Sequence, residues 1–184
     1  METFEGNLVR LDPIDCDSES ELINSWFEDG EFFRLLDERL TKIPTVDTTK
    51  KFIEKINNEG FIFGIRTRKE LSLIGFVALG NINSSTREAW VGIAIGDRGY
   101  QGRGYGADAM NIIVRFAFLE LNLNRISLDV FQYNNRGIRS YEKVGFKLEG
   151  RERESIYRDG KWWDTLYMGI LRKDWEEKRT AVNR

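Results

Sequence analysis

AWVGIAIGDRGYQGRGYGADAM, residues 89–110, carries three patterns in succession. Ala89 to Ile95 is a strongly apolar strand. It runs into a basic loop in which Gly102, Gly104 and Gly106 alternate. Glycine allows positive φ and lets backbone N–H groups approach a ligand without a Cβ in the way. A helix follows, with Ala107, Met110, Val114, Ala117, Phe118 and Leu121 at helical spacing. The first N–H groups of any helix have no partner inside it. Those donors, the helix dipole and the nearby Arg98 and Arg103 suit a pyrophosphate.

Working outward from this unit gives the fold class. No Gly-Lys-Ser/Thr follows the loop, so it is not a P-loop. Gly102, Gly104 and Ala107 match the dinucleotide spacing, and Asp129 sits near the place of a ribose-binding acid. That fingerprint belongs in a doubly wound parallel sheet, and the context here differs. Phe61 to Thr67 and Leu71 to Leu79 read as a hairpin turned by Arg68, Lys69 and Glu70. Downstream, Arg125 to Val130 reads as a buried strand and Asn134 to Val144 as a short helix ended by Gly145. Phe146 to Ile156 and Trp162 to Leu171 form a closing hairpin around Arg158, Asp159 and Gly160. Upstream, Phe4 to Leu11 reads as a strand. A helix capped by Asp17 or Ser18 runs to about Glu28, another spans Glu31 to Leu40, and a third is capped by Asp47 or Thr48. The sum is an α+β domain: a mixed, mostly antiparallel sheet flanked by helices, with a central β-loop-α-β unit.

Composition sets outer limits. The 184 residues suit a single domain, 1–184, and the net charge of −2 argues against a dedicated nucleic-acid binder. Residues 1–15 lack the basic-then-apolar pattern of a signal peptide, and no apolar run approaches the ~18 residues of a membrane span. A lone cysteine, Cys16, forms no intrachain disulfide and points to a cytoplasmic setting. Histidine is absent, which removes His-based triads and imidazole metal ligands; no metal is expected.

The loop Gln101, Gly104, Gly106 and the run NNRGIRSYEKVGF, residues 134–146, together resemble the two signatures of the GNAT N-acetyltransferase superfamily. In the second, Asn134, Tyr141, Gly145 and Phe146 match, while Gly137 stands where alanine is usual. The ending RDGKWWDTLYMGILRKDW, residues 158–175, is similar to the RimJ/RimL-type branch. The resemblance implies acetyl-CoA as co-substrate and an amine acceptor, either a peptide N-terminus or a small molecule. It assigns residues 61–175 to the acetyl-CoA-binding core and closing hairpin, and the helices of 1–60 to the acceptor side. A homodimer stays open.

The same resemblance implies the site. The backbone of Ile93, Ala94 and Ile95 pairs with pantetheine, and one N–H there stabilises the oxyanion. Gln101, Gly102, Arg103, Gly104, Tyr105 and Gly106, with Arg98, hold the pyrophosphate. Asn134 and Arg139 contact the cofactor, and Tyr141 protonates the leaving thiolate. Glu88, just before the central strand, is the candidate general base, with Glu28, Glu31, Glu38, Asp164 and water as alternatives. Cys16 is a poor nucleophile, since Asp12, Asp15, Asp17 and Glu19 surround it in sequence, so direct sequential transfer is expected. Two other readings compete: a non-catalytic acyl-CoA-binding sensor of the same fold, and a nicotinamide-dependent oxidoreductase, for which no second βαβ half is found.

Overall fold

Apolar residues on both sides of the central strands give the sheet two buried faces, and each collects its own helices. In the computed structural model, which describes residues 3–39 and 42–182, the order begins with β1 (Val9–Asp12), α1 (Cys16–Trp26), α2 (Gly30–Leu36) and α3 (Val46–Glu59). There follow β2 (Phe61–Thr67), β3 (Leu73–Asn83), β4 (Glu88–Ile95), a short 3-10 turn (Arg98–Tyr100) and α4 (Tyr105–Leu119). The chain closes with β5 (Arg125–Phe131), α5 (Asn135–Val144), β6 (Lys147–Arg158), β7 (Lys161–Leu171) and α6 (Arg172–Val182).

The spatial order is β1-β2-β3-β4-β5-β7-β6. Every adjacent pair is antiparallel except β4 and β5, which run parallel. On one face α4 buries Met110, Ile113, Val114 and Ala117 against Val77, Leu79, Val91, Ile126 and Leu128. On the other, Ile23, Trp26, Phe27, Phe32, Phe33 and Ile53 from the first three helices cover Ile62, Phe76 and Ala94. The expected α+β class and its β-loop-α-β centre are present.

Several boundaries differ from the sequence reading, each for a local reason. The first strand begins at Val9 rather than Phe4, because the chain turns at Gly6, whose N–H donates to the Val9 carbonyl at 2.9 Å, and folds Glu5 back into an antiparallel bridge with Arg10. Asn7, Leu8 and Val9 donate to the Asp108 carboxylate on α4 at 3.1, 2.7 and 3.0 Å. The caps fall earlier than Asp17 or Ser18 and Asp47 or Thr48. Asp15 has extended backbone (φ −82°, ψ 101°) and accepts from Asp17 N–H, while Thr45 accepts from Thr48 N–H. An extended backbone followed by a free amide two or three residues on is what a cap requires. The second helix ends at Leu36, and Leu40, to which it was expected to run, lies outside the described residues. The closing helix α6 was not anticipated. It is strongly charged, and its buried Trp175 sits on Phe118 with ring centroids 5.3 Å apart.

Asp108 thus ties the chain's opening turn to the first turn of α4. Asp108→Ala leaves three amides without their acceptor, and destabilisation of about 1–3 kcal/mol is expected. Urea unfolding checks this, and a midpoint equal to wild type would refute it.

Candidate active site

The site originates in a mismatch between neighbouring strands. β4 and β5 pair through Glu88 with Arg125, Ala89 with Ile126 and Trp90 with Ser127, and then part. β4 continues to pair with β3 as far as Ile95, and β5 with β7 as far as Phe131. From Val91 onward the β5-facing backbone of β4 therefore has no strand partner. The gap widens into a cleft of about 440 Å³ whose lining includes Ile93, Ala94, Ile95, Gly104, Asn134 and Tyr141.

At the mouth lies the start of α4. Gly104 occupies its N-cap position at φ 91°, and no side chain caps the helix. Gly102 also has positive φ, at 71°. Both are conformations that L side chains resist. The first-turn amides of α4 thus stay free for an anionic group, aided by the helix dipole.

Gln101 holds the loop in place. Its Nε2 donates to the Ile95 carbonyl at 2.8 Å, and its Oε1 accepts from Arg136 Nη1 at 2.9 Å. The loop is thereby fixed to both the end of β4 and α5. Asn134 caps α5, accepting from Gly137 N–H at 2.9 Å. A Cβ on residue 137 would lie 2.7 Å from Asn134 Nδ2, so the glycine there makes room for the cap. At the other end of α5, Gly145 turns at φ 125°, and the amides of Gly145 and Phe146 both donate to the Tyr141 carbonyl at 3.0 Å. The Phe146 ring packs edge-on to Tyr141 at 6.1 Å. The Tyr-Gly-Phe spacing is therefore a helix terminus that locks the tyrosine ring.

Tyr141 lines the cleft, and its hydroxyl forms no hydrogen bond among the described residues. Burial, and secondarily the charge of Asp129, push its phenol up to about 12. It stays protonated across the physiological range.

Of the residues singled out from sequence, Ile93, Ala94, Ile95, Gln101, Gly102, Gly104, Gly106, Asn134, Arg139 and Tyr141 share this cleft. Four lie elsewhere. Arg98 is committed to the α2 cap, its Nε and Nη2 meeting the two oxygens of Asp29 at 2.7 and 2.8 Å. Arg103 is exposed beside the loop, outside the cleft lining. Tyr105 packs its ring edge-on to Tyr100 at 5.1 Å. Glu88 stands at the closed end, where β4 and β5 still pair, accepting from Ser127 Oγ at 2.9 Å with Arg125 at 3.5 Å.

Among the alternatives, Asp164 is occupied by Arg151 and the Glu154 amide, both at 2.9 Å, while Glu31 reaches the cleft beside Arg98. Phe32, Leu35 and Leu36 of α2 also line the cleft. Sequence reading missed their role because their helical spacing equally fits a core face. No group of three or more His, Cys, Asp or Glu suited to a metal ion occurs among the described residues. No described helix is long and apolar enough to cross a membrane.

A parted strand pair, with an uncapped glycine-opened helix at its mouth, is the arrangement of a GNAT acyltransferase. A family model described as acetyltransferase (GNAT) domain matches residues 19–167, and the chain belongs to that family of acetyl-CoA-dependent acetyltransferases. It is 29% identical over 181 residues to the probable N-acetyltransferase YjcK of Bacillus subtilis, covering 95% of this chain and 99% of that protein. It is 25% identical to the [ribosomal protein uS5]-alanine N-acetyltransferase of Escherichia coli, over 69% of this chain and 66% of that one. The fold matches that of spermidine N-acetyltransferase from Vibrio cholerae, solved with CoA and spermine. There the TM-score is 0.80 at 24% identity, covering 91% of this chain and 98% of the other.

Gly104→Val forces a β-branched side chain into a left-handed backbone position (φ 91°) at the start of α4, beside its free amides. Acetyl-CoA affinity should fall at least tenfold, equal to about 1.4 kcal/mol, in a protein whose circular dichroism is unchanged. Titration calorimetry reads this, and an unaltered affinity would exclude the loop from cofactor binding.

Proposed function

We propose that the protein moves an acetyl group from acetyl-CoA directly to a primary amine, without an acetyl-enzyme intermediate. The observation that carries this is the parting of β4 and β5 beside a tyrosine hydroxyl that has no other partner among the described residues. In this reading residues 1–184 act as one domain, with the helices of 1–60 walling the acceptor side, in a cytoplasmic setting.

The geometry of the cleft supports the following roles. The unpaired backbone of Ile93, Ala94 and Ile95 extends its hydrogen bonding to the pantetheine amides, as a neighbouring strand would. One N–H on that edge points a fixed dipole at the thioester oxygen, where negative charge develops as the amine attacks. The first-turn amides of α4 take the pyrophosphate, and Arg136 and Arg139 supply positive charge at the same mouth. Tyr141 donates to the departing sulfur. A phenol near 12 is a weaker acid than free tyrosine, but the same burial also disfavours the thiolate, so both acidities move in one direction. The proton passes as the C–S bond breaks and sulfur becomes basic.

Cys16 takes no part in this scheme. It lies on α1 outside the cleft lining, and burial, followed by the charge of Glu54, raises its thiol above the usual value. A thiol held protonated is a weak nucleophile.

The acceptor is found by thiol-release assay with two amines, spermidine and a peptide beginning with alanine. The E. coli and V. cholerae enzymes are named for amines of these kinds. With whichever amine is turned over, Tyr141→Phe should lower kcat by about 10²–10⁴-fold and change acetyl-CoA affinity little. A kcat within about twofold of wild type, with chemistry limiting, would remove Tyr141 from the reaction. Cys16→Ala should keep wild-type turnover; its loss in a folded variant, or an acetyl group trapped on Cys16, would replace direct transfer with a two-step route.

A further inference from the structure

The direct-transfer reading still needs a group that takes the proton from the arriving amine. At neutral pH a primary amine with a pKa near ~10 is almost entirely ammonium and has no lone pair to offer. Glu88, the carboxylate favoured by sequence position, is paired at the closed end of the strands.

The sheet face opposite α4 supplies another. Gly92 lies in β4, near the middle of a seven-stranded sheet, yet it is exposed, and a Cβ built there meets nothing within 4 Å. Its neighbours on this face are Trp90 and Ala94, of which Ala94 is covered by the first three helices. There is open space, then, over the strand that carries the thioester-facing backbone. The last parallel pair is Trp90 with Ser127. Two residues further along each strand, where the gap has opened, Asp129 falls level with Gly92 and on the same face. Across β5's other edge Asp129 pairs in register with Tyr167, whose ring meets Trp90 at 6.3 Å.

We infer that Asp129 is the carboxylate that receives the acceptor's ammonium over Gly92 and takes its proton. This rests on the direct-transfer reading and adds its missing base. The amine approaches from the face that carries Asp129, while Tyr141, on the α5 side packed with α4, serves the sulfur.

The step balances. The ammonium gives one proton to the Asp129 carboxylate, and the freed lone pair forms the N–C bond at the thioester carbonyl. Collapse breaks the C–S bond, and sulfur takes the phenol proton of Tyr141. The second proton lost from nitrogen restores the phenol. Asp129 then releases its proton to solvent, so the sum is amide, free thiol and one proton.

The surroundings favour the role. Water reaches Asp129, yet protein crowds it on several sides. Burial first, and the charge of Glu38 after it, raise its carboxyl above the ordinary value, which makes it a stronger base. Its own charge in turn raises the hydroxyls of Tyr141 on α5 and Tyr167 on β7. Glu152 on β6 accepts from Tyr167 Oη at 2.7 Å, and β4 offers no charged side chain on this face at Trp90 or Gly92. The one cation on this face of β5, Arg125, is engaged by Glu149, Glu88 and Ser127, and the groups that share charge with Asp129 are otherwise acidic or phenolic.

The test is steady-state kinetics of Asp129→Asn and Asp129→Glu across pH, with spermidine and the alanine-initial peptide as amines and calorimetry for acetyl-CoA. Asp129→Asn should lower kcat/KM for the amine about 10²-fold or more near pH 7, with acetyl-CoA affinity unchanged. The deficit should shrink as pH rises toward the amine's own pKa, because a neutral amine needs no base. Asp129→Glu should recover at least a tenth of the lost activity. A variant within about twofold of wild type, or a deficit constant across pH, would overturn the assignment while wild-type turnover leaves direct transfer standing. Failure of wild type to acetylate either amine while binding acetyl-CoA would overturn both.

Discussion

Everything functional in this molecule depends on β4 and β5 being neighbours that cease to be partners. Three residue pairs bind them at one end. Beyond that, each strand is held by its outer neighbour alone, and the sheet acquires two free edges in its interior. An interior edge is costly when buried, since its amides and carbonyls need partners. It is harmless when a substrate supplies them. An edge of this kind offers recognition through main-chain groups, which substitution does not remove.

Around that gap the structure is stiffened by few, well-placed ties. Gln101 joins the glycine loop to Ile95 and to Arg136, and Asp29 closes on Arg98 while capping α2. The second tie links the loop after β4 to a helix whose Phe32, Leu35 and Leu36 wall the cleft. On the far side, Arg158 Nη2 donates to the carbonyls of Glu38 and Arg39 at 2.8 Å, and Arg34 bonds Asp159 at 2.6 Å. The exit from α2 is therefore clasped to the β6–β7 hairpin turn by contacts more than a hundred residues apart in sequence.

Much of this was legible in the chain, and what was not has identifiable causes. The β-loop-α unit could be read because glycine, arginine and apolar periodicity occur in contiguous residues. Tyr141 could be singled out because Asn134, Tyr141, Gly145 and Phe146 together resemble a family signature, and in the structure Gly145 and Phe146 form the helix end beside it. The partners of Arg98 and Glu88 could not be read, because each lies distant in sequence: Asp29 for one, Ser127 and Arg125 for the other. The caps at Asp15 and Thr45 were misplaced because several acids and hydroxyls lie side by side there, and only backbone geometry chooses among them. Helix α6 escaped notice because one buried tryptophan in a charged segment leaves almost no periodic signal. Asp129 was visible only as a feature of the dinucleotide spacing, since its setting depends on strand register.

The Asp108 clasp has a consequence for the order in which the chain matures. Its partners, residues 7–9, are synthesised about a hundred residues before the carboxylate that holds them. At roughly 5–20 residues per second, the opening segment waits on the order of 5–20 s for that contact. β1 must likewise wait for β2 to give it a pairing edge. Closure over such sequence distances is slow and entropically expensive. The opening turn under the first turn of α4 thus cannot settle until that helix has been made, and a nascent chain stopped before residue 108 has made neither the helix nor the strut beneath it.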